Sequence, residues 1–305
     1  MKKCAISVDM DPVDHYLTAR GYKPLDGTDI NAIYTDALPR FLELFDEYHV
    51  KATFFIVAKD AENPSNRDIL DQVVRRGHEI GNHTHHHFQH FAKLSAEEKR
   101  REIVGADPVL REVTKGRILG FRAPGWVITS EVLDILEGLG YTYDSSIFPS
   151  ALISIIAFVN WSLNKGRLER TLGSSLNVGL APKVPYRPSR YKVWRKGDAR
   201  LVEIPPTVLP ILQFPFLGTV LYMLGKTIFR LSAAYLARFD RPLVYELHGI
   251  ELVDYHKSVR DDRLAVKPGL DMPLVEKEKL YRLMLSTFQS RYEFVTMSQL
   301  AACYR

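Results

Sequence analysis

Short apolar runs alternate with amphipathic segments along most of the chain. Residues 4–9 and 51–57 (KATFFIV) read as strands, while residues 36–48 place Leu38, Phe41, Leu42 and Phe45 at helical spacing. A helix is predicted over 68–76 and stops at Gly77; a short strand follows at 78–81. The helix over 95–113 opens with Ser95 and Glu98, a capping-box spacing. Further strands are predicted at 117–121, 141–143, 243–247 and 292–295, and further helices at 130–138 and 275–290. Alternation of this kind predicts a parallel sheet with crossover helices. It breaks between 149 and 241. That span holds two apolar stretches, 151–163 and 210–236, around the basic, proline-punctuated segment KVPYRPSRYKVWRKG. It is expected to decorate a single domain, 1–305, rather than to form a second one.

Reactive side chains fall just after the predicted strands: Asp9 and Asp11, His83 to His87, Arg122, Asp144 and His248. A (β/α) barrel builds its active site from such strand ends, so five of them together carry more weight than any one. His83-Thr84-His85-His86-His87 is the sharpest local feature. Histidines four apart can meet on one side of a helical turn, and two imidazoles with one carboxylate leave a metal position for water. The competing reading is a solvated histidine-rich loop tip. In Asp9-Met10-Asp11, strand alternation points both carboxylates to one side, so one can bind metal while the other acts as base. A lone Asp there would more often cap a helix.

The ordered motifs resemble the polysaccharide deacetylases, the NodB-homology or carbohydrate esterase four family. SVDMDP resembles the first motif, His83-Thr84-His85-His86-His87 the second, FRAPGW (Arg122 to Trp126) the third, YDSS (Tyr143 to Ser146) the fourth and VYELHG the fifth. The resemblance covers nearly the whole chain and implies an α/β fold, a distorted (β/α) barrel with a long insertion, 149–241, before the penultimate strand. It implies one divalent metal on Asp11, His83 and His87. Zinc is the first choice, with cobalt, nickel, manganese and iron as alternatives. The family's adjacent Asp-Asp is Asp-Met-Asp here, which leaves the division between the two open; Asp9 is assigned as base and Asp11 as ligand. His248 would be the general acid, Arg122 would hold the base, and Asp144 would orient a partner such as His248. Pro124, Gly125, Trp126 and Glu251 would contact substrate. His85 and His86 would be spacers or rim residues.

The resemblance implies hydrolysis of an N-acyl group, acetyl before formyl, from an amino sugar. Composition narrows the setting. With 46% hydrophobic and 25% charged residues, the 305-residue chain is of ordinary globular type. Cys4 and Cys303 alone form no disulfide framework and are expected to be reduced thiols. Met1-Lys2-Lys3 is not followed by a long apolar region, which points to the cytosol. The charge of +5 suits an anionic partner and is too weak to argue for nucleic acid; no protein partner is inferred. Together with FRAPGW and VYELHGIEL, which resemble relatives acting on lipid-linked amino sugars, these features suggest an undecaprenyl-phosphate type of substrate at the inner membrane face. The apolar run 152–159, flanked by Trp161, Lys165, Arg167 and Arg170, and the basic stretch 187–196 are the candidate membrane contacts; stretch 210–236 is expected to be a core helix. The alternatives are a soluble deacetylase, a ureide or cyclic-amide hydrolase on the same barrel, and a non-catalytic glycan- or lipid-binding relative.

Overall fold

Residue alternation along the first strand sorts two environments. In the computed structural model, which describes residues 1–18, 21–23, 29–126, 128–150, 152, 176–210, 213–265 and 267–305, β1 spans Lys2–Asp9 and is buried from Cys4 onward. Cys4, Ile6 and Val8 join the large cluster that packs under the helices, whereas Ala5 joins a smaller cluster with Phe55, Tyr143, Val244, Met297 and Leu300. A strand covered on both faces is what a parallel sheet requires.

The other strands are β2 (Thr53–Ile56), β3 (Glu79–Asn82), β4 (Gly120–Phe121), β5 (Tyr143–Asp144), β6 (Val202–Glu203), β7 (Leu243–His248) and β8 (Tyr292–Val295). All pair in parallel, in the order β6-β5-β4-β3-β2-β1-β7, with β8 also on β1. β1 is shared: its first half pairs with β8 and its second half with β2, while β7 runs along it from Cys4 to Asp9. The result is a distorted (β/α) barrel. The short helix Met297–Ala302 closes its lower end, where the Met297 and Ser298 N–H groups donate to Thr53 Oγ1 and Glu79 Oε2.

The predicted elements form with boundary shifts of a few residues, and Ser95 and Glu98 do make the reciprocal capping box of the helix Ala96–Thr114. Gly77 stops its helix at φ +76°. Gly81, in the strand predicted over 78–81, lies inside β3. A Cβ there would meet the Phe55 ring at 2.6 Å, so the missing side chain makes room for that ring. Gly81→Ala is expected to cost roughly 1–3 kcal/mol through overpacking, measured as a lowered denaturation midpoint.

Part of the span 149–241 belongs to the barrel wall rather than decorating it. β6 lies within it, and beyond β6 the Thr207 N–H donates to the Val244 carbonyl at 2.9 Å while Thr207 Oγ1 accepts from the Val244 N–H at 2.9 Å. Two short residues in β6 carry too little periodicity to be seen in sequence. Of the apolar stretch 151–163 only Leu152 is described, so the membrane contact expected at 152–159, with Trp161, Lys165, Arg167 and Arg170, lies outside the described residues. In the basic stretch, Arg187 Nε donates to Ala199 O at 2.6 Å, and Arg190 pairs with Asp134 at 2.7 Å and with Glu137, so these two cations are engaged by protein groups. The second apolar stretch holds the helix Gly218–Leu236, broken at Gly225. Among the described residues no helix is long and apolar enough to cross a membrane. Cys4 is buried, Cys303 is exposed, and both are free.

Candidate active site

The upper ends of β1, β3, β4 and β7 bring the histidines and carboxylates together. His83 and His87 do not meet on a helical turn, as their spacing suggested. They meet through a loop in which Thr84 (φ 68°) and His87 (φ 54°) are left-handed. A β-branched residue is rarely found there, and local hydrogen bonds hold it: Thr84 N–H donates to Asn82 Oδ1 at 2.7 Å, and His87 N–H to Thr84 Oγ1 at 3.0 Å. His85 and His86 tie the loop outward. Nε2 of His85 is 3.5 Å from Glu62, and the buried Glu102 takes both the N–H (2.8 Å) and Nδ1 (2.7 Å) of His86.

Asp11 Oδ1 lies 3.1 Å from His83 Nε2 and 3.2 Å from His87 Nε2, and the three ligand atoms lie within 4.8 Å of one another. His83 Nδ1 is 2.7 Å from the Arg122 carbonyl, which selects the tautomer that leaves the Nε2 lone pair facing Asp11. Tyr16 OH donates to the other Asp11 oxygen at 3.1 Å. These residues fit a divalent cation. A tetrahedral ion with bonds of roughly 2.0–2.1 Å holds its ligands about 3.3 Å apart, close to the two separations seen.

Asp9 sits beside this group but is held differently. Arg122 is fully buried; its Nη1 donates to Asp9 Oδ1 at 2.5 Å and to Ser7 Oγ at 3.0 Å, while Nε and Nη2 donate to Ser145 O and Oγ at 3.0 and 2.8 Å. The Phe55 ring that Gly81 admits lies 4.3 Å from the guanidinium, and Trp126 lies 4.6 Å away.

His248 faces Asp9 across the β1–β7 pairing. Its Nε2 is 3.4 Å from Glu246 and its Nδ1 is 3.7 Å from Glu251, charge contacts longer than hydrogen bonds. Burial and the Lys267 ammonium press its pKa down, but Glu246, Glu251 and Asp11 outweigh them and lift it to about 9. Glu251, expected to meet substrate, is buried instead; it accepts from Thr219 Oγ1 at 2.9 Å and from Tyr281 OH at 2.8 Å. Asp144 is not the carboxylate beside His248. It accepts from Ser146 Oγ at 2.6 Å and pairs in register with Glu203. Burial and then the Asp144 charge push the Glu203 carboxyl well up. In the FRAPGW loop, the N–H groups of Arg122, Ala123 and Trp126 are engaged with Asn82 O, Ser146 Oγ and Ala123 O, and Pro124 has none. Gly125 is left as that loop's candidate donor.

Sequence reasoning missed Glu246, Glu203, Tyr16 and His15, whose ring stacks on His87 at 4.7 Å. Glu246 was legible, since a strand puts it on the same face as His248 two residues later. A lone acid in the apolar run LVEIPP could have flagged Glu203. Nothing local marks His15 or Tyr16.

Fold and site together define a distorted (β/α) barrel with metal-ligand-type and acid–base side chains at its strand ends. The sequence model described as polysaccharide deacetylase matches residues 26–143, which include His83, His87 and Arg122. Over that segment the chain is similar to the polysaccharide deacetylases. A peptidoglycan-N-acetylglucosamine deacetylase of Bacillus cereus is 34% identical over 104 residues, 34% of this chain and 46% of that protein. The chain spans about half the length of the curated relatives it matches. A crystal structure described as a putative polysaccharide deacetylase from Mycobacterium smegmatis superposes with a TM-score of 0.60 at 18% identity, over 100% of this chain and 91% of that one. PuuE allantoinase gives 0.61 at 15%, over 98% and 89%. Both likenesses show the fold, and the fold alone does not choose between their chemistries.

Proposed function

We propose that this protein is a metal-dependent N-deacylase that removes an acetyl group from an amino sugar, with a lipid-linked sugar at a membrane face as its substrate. The observation that carries the catalytic reading is the single Asp11 oxygen facing both His83 and His87 Nε2 atoms, with Asp9 and His248 paired across the neighbouring strands. Asp11, His83 and His87 would hold the cation. When bound, that ion polarises the acyl carbonyl and acidifies a water. Asp9, gripped by Arg122, takes the water proton. The Gly125 N–H donates to the carbonyl oxygen as it gains charge. His248, protonated, delivers its proton to the departing amine nitrogen, and Glu251 steadies its ring from the Nδ1 side.

The test is acyl release from an N-acetylated amino-sugar oligosaccharide and from a lipid-linked amino sugar, before and after chelation. Chelator-sensitive release of acetate is expected, faster from the lipid-linked sugar. Hydrolysis of allantoin with no acetate release would replace this reading with the ureide one.

The acid requires a pH signature. His248 is protonated below about 9, so kcat/KM should hold up to that region and fall as pH rises through it. Glu251→Gln removes a negative charge that raises the imidazole pKa, so the basic limb should move to lower pH, with a smaller loss than the roughly 10²–10⁴-fold expected for His248→Ala. A limb that stays in place in Glu251→Gln would remove Glu251 from this role.

A further inference from the structure

Asp9 and Asp11 stand two residues apart and are held by opposite kinds of partner. Asp9 Oδ1 takes a guanidinium N–H of Arg122 at 2.5 Å. Asp11 Oδ1 faces the two imidazoles at 3.1 and 3.2 Å, and its Oδ2 accepts a neutral hydroxyl, Tyr16 OH, at 3.1 Å. A guanidinium offsets the carboxylate charge and competes with a cation for the same lone pairs. A phenol takes one lone pair and leaves the charge in place.

Tyr16 reaches Asp11 because the chain enters a short helix, Val13–Thr18, two residues after it. Val13 and Leu17 are buried and pin that helix, and the Tyr16 ring packs on the main core. The Lys267 ammonium, from the loop beyond β7, lies 4.3 Å from the centre of the same ring. His15 lays its ring on His87 at 4.7 Å, so one turn of helix touches two of the three residues that would hold the cation.

We propose that Tyr16 is a positioning residue that restricts Asp11 to ligation through one oxygen, and so keeps the fourth position of the cation for water and substrate. The inference rests on the proposed function for the cation at Asp11, His83 and His87. A carboxylate with both oxygens available can turn about its terminal torsion, which is soft, and offer the second oxygen as well. With Oδ2 bonded to Tyr16, that turn breaks a charge-assisted hydrogen bond. Three protein donors leave a catalytic position open, whereas a fourth closes it. The partner on the outer oxygen also fixes the direction of the inner one, as groups behind a metal ligand generally do.

The experiment compares the full chain with Tyr16→Phe, which keeps the ring beneath the Lys267 ammonium and removes only the hydroxyl. Zinc affinity is read by competition with a chromophoric chelator, and the cobalt-loaded proteins are compared by visible absorption. The zinc dissociation constant should rise roughly 10–100-fold. The cobalt bands should weaken as Oδ2 joins the ion and the geometry leaves the tetrahedral type. The melting temperature of the metal-free protein should stay close to that of the parent. An unchanged zinc affinity with an unchanged cobalt spectrum overturns the inference. So does a lowered metal-free melting temperature with no spectral change, since Tyr16 would then act on the fold alone. If the parent binds one zinc ion, Tyr16→Phe weakens it as expected, and neither releases acetate, the catalytic reading fails and the role of Tyr16 stands. A parent that binds no zinc or cobalt overturns both.

Discussion

Replacing His83 with alanine is expected to take the protein from one bound divalent ion to almost none and to lower kcat/KM by about 10³-fold or more. Two of its contacts make this residue hard to substitute. Nε2 faces Asp11 at 3.1 Å, and Nδ1 is fixed by the Arg122 carbonyl at 2.7 Å, so both the lone pair and its direction are set by the fold. An ion that stabilises developing charge supplies several kcal/mol, and each 1.36 kcal/mol is a factor of ten in rate. The measurement is metal content by elemental analysis together with acyl release. His83→Gln retains a polar group in the buried site and separates loss of metal from loss of fold, which circular dichroism reports. A folded His83→Gln protein with full metal content and full activity would sink the assignment.

Asp9→Asn is expected to lower kcat by roughly 10²–10⁴-fold while metal content and KM stay near those of the parent. The fold should survive it. Arg122 retains its bonds to Ser7 Oγ, Ser145 O and Ser145 Oγ, and a guanidinium beside a neutral amide is still hydrogen-bonded. The reverse substitution behaves differently. Arg122→Met leaves the Asp9 carboxylate buried without its cation, which costs about 3–5 kcal/mol and should show as a large drop in melting temperature. The pair therefore separates chemistry from stability: one variant is stable and slow, the other unstable. If instead Asp9→Asn loses the metal and Asp11→Asn stays loaded but slow, the two aspartates exchange roles.

The histidine loop shows where sequence reading stops. Its residues are legible as ligands from type and spacing, and Ser95–Glu98 and Gly77 mark the neighbouring helix ends because caps are local chemistry. The way the loop folds is only partly local. Short-range bonds to Asn82 and Thr84 hold the left-handed Thr84 and His87, but Glu102 and Glu62, from elsewhere in the chain, tie His86 and His85 outward. Asp144 illustrates the same limit from the other side. Its position at a strand end suggested a partner for His248, but three strands separate β5 from β1, and its neighbour is the Glu203 of β6.

The amino-acid sequence by itself determined the alternation of strands and helices, the helix caps, and the set of residues at strand ends, since each depends on period and on neighbours along the chain. Only the tertiary structure decided which carboxylate serves which histidine. β1 pairs with β2, β7 and β8, elements drawn from both ends of the chain. Glu246 and Glu251 flank His248 along one stretch of chain, but Asp9 comes to face His248, and Arg122 to grip Asp9, only once those strands lie side by side. Charges are placed by strand register, and register is a property of the assembled sheet.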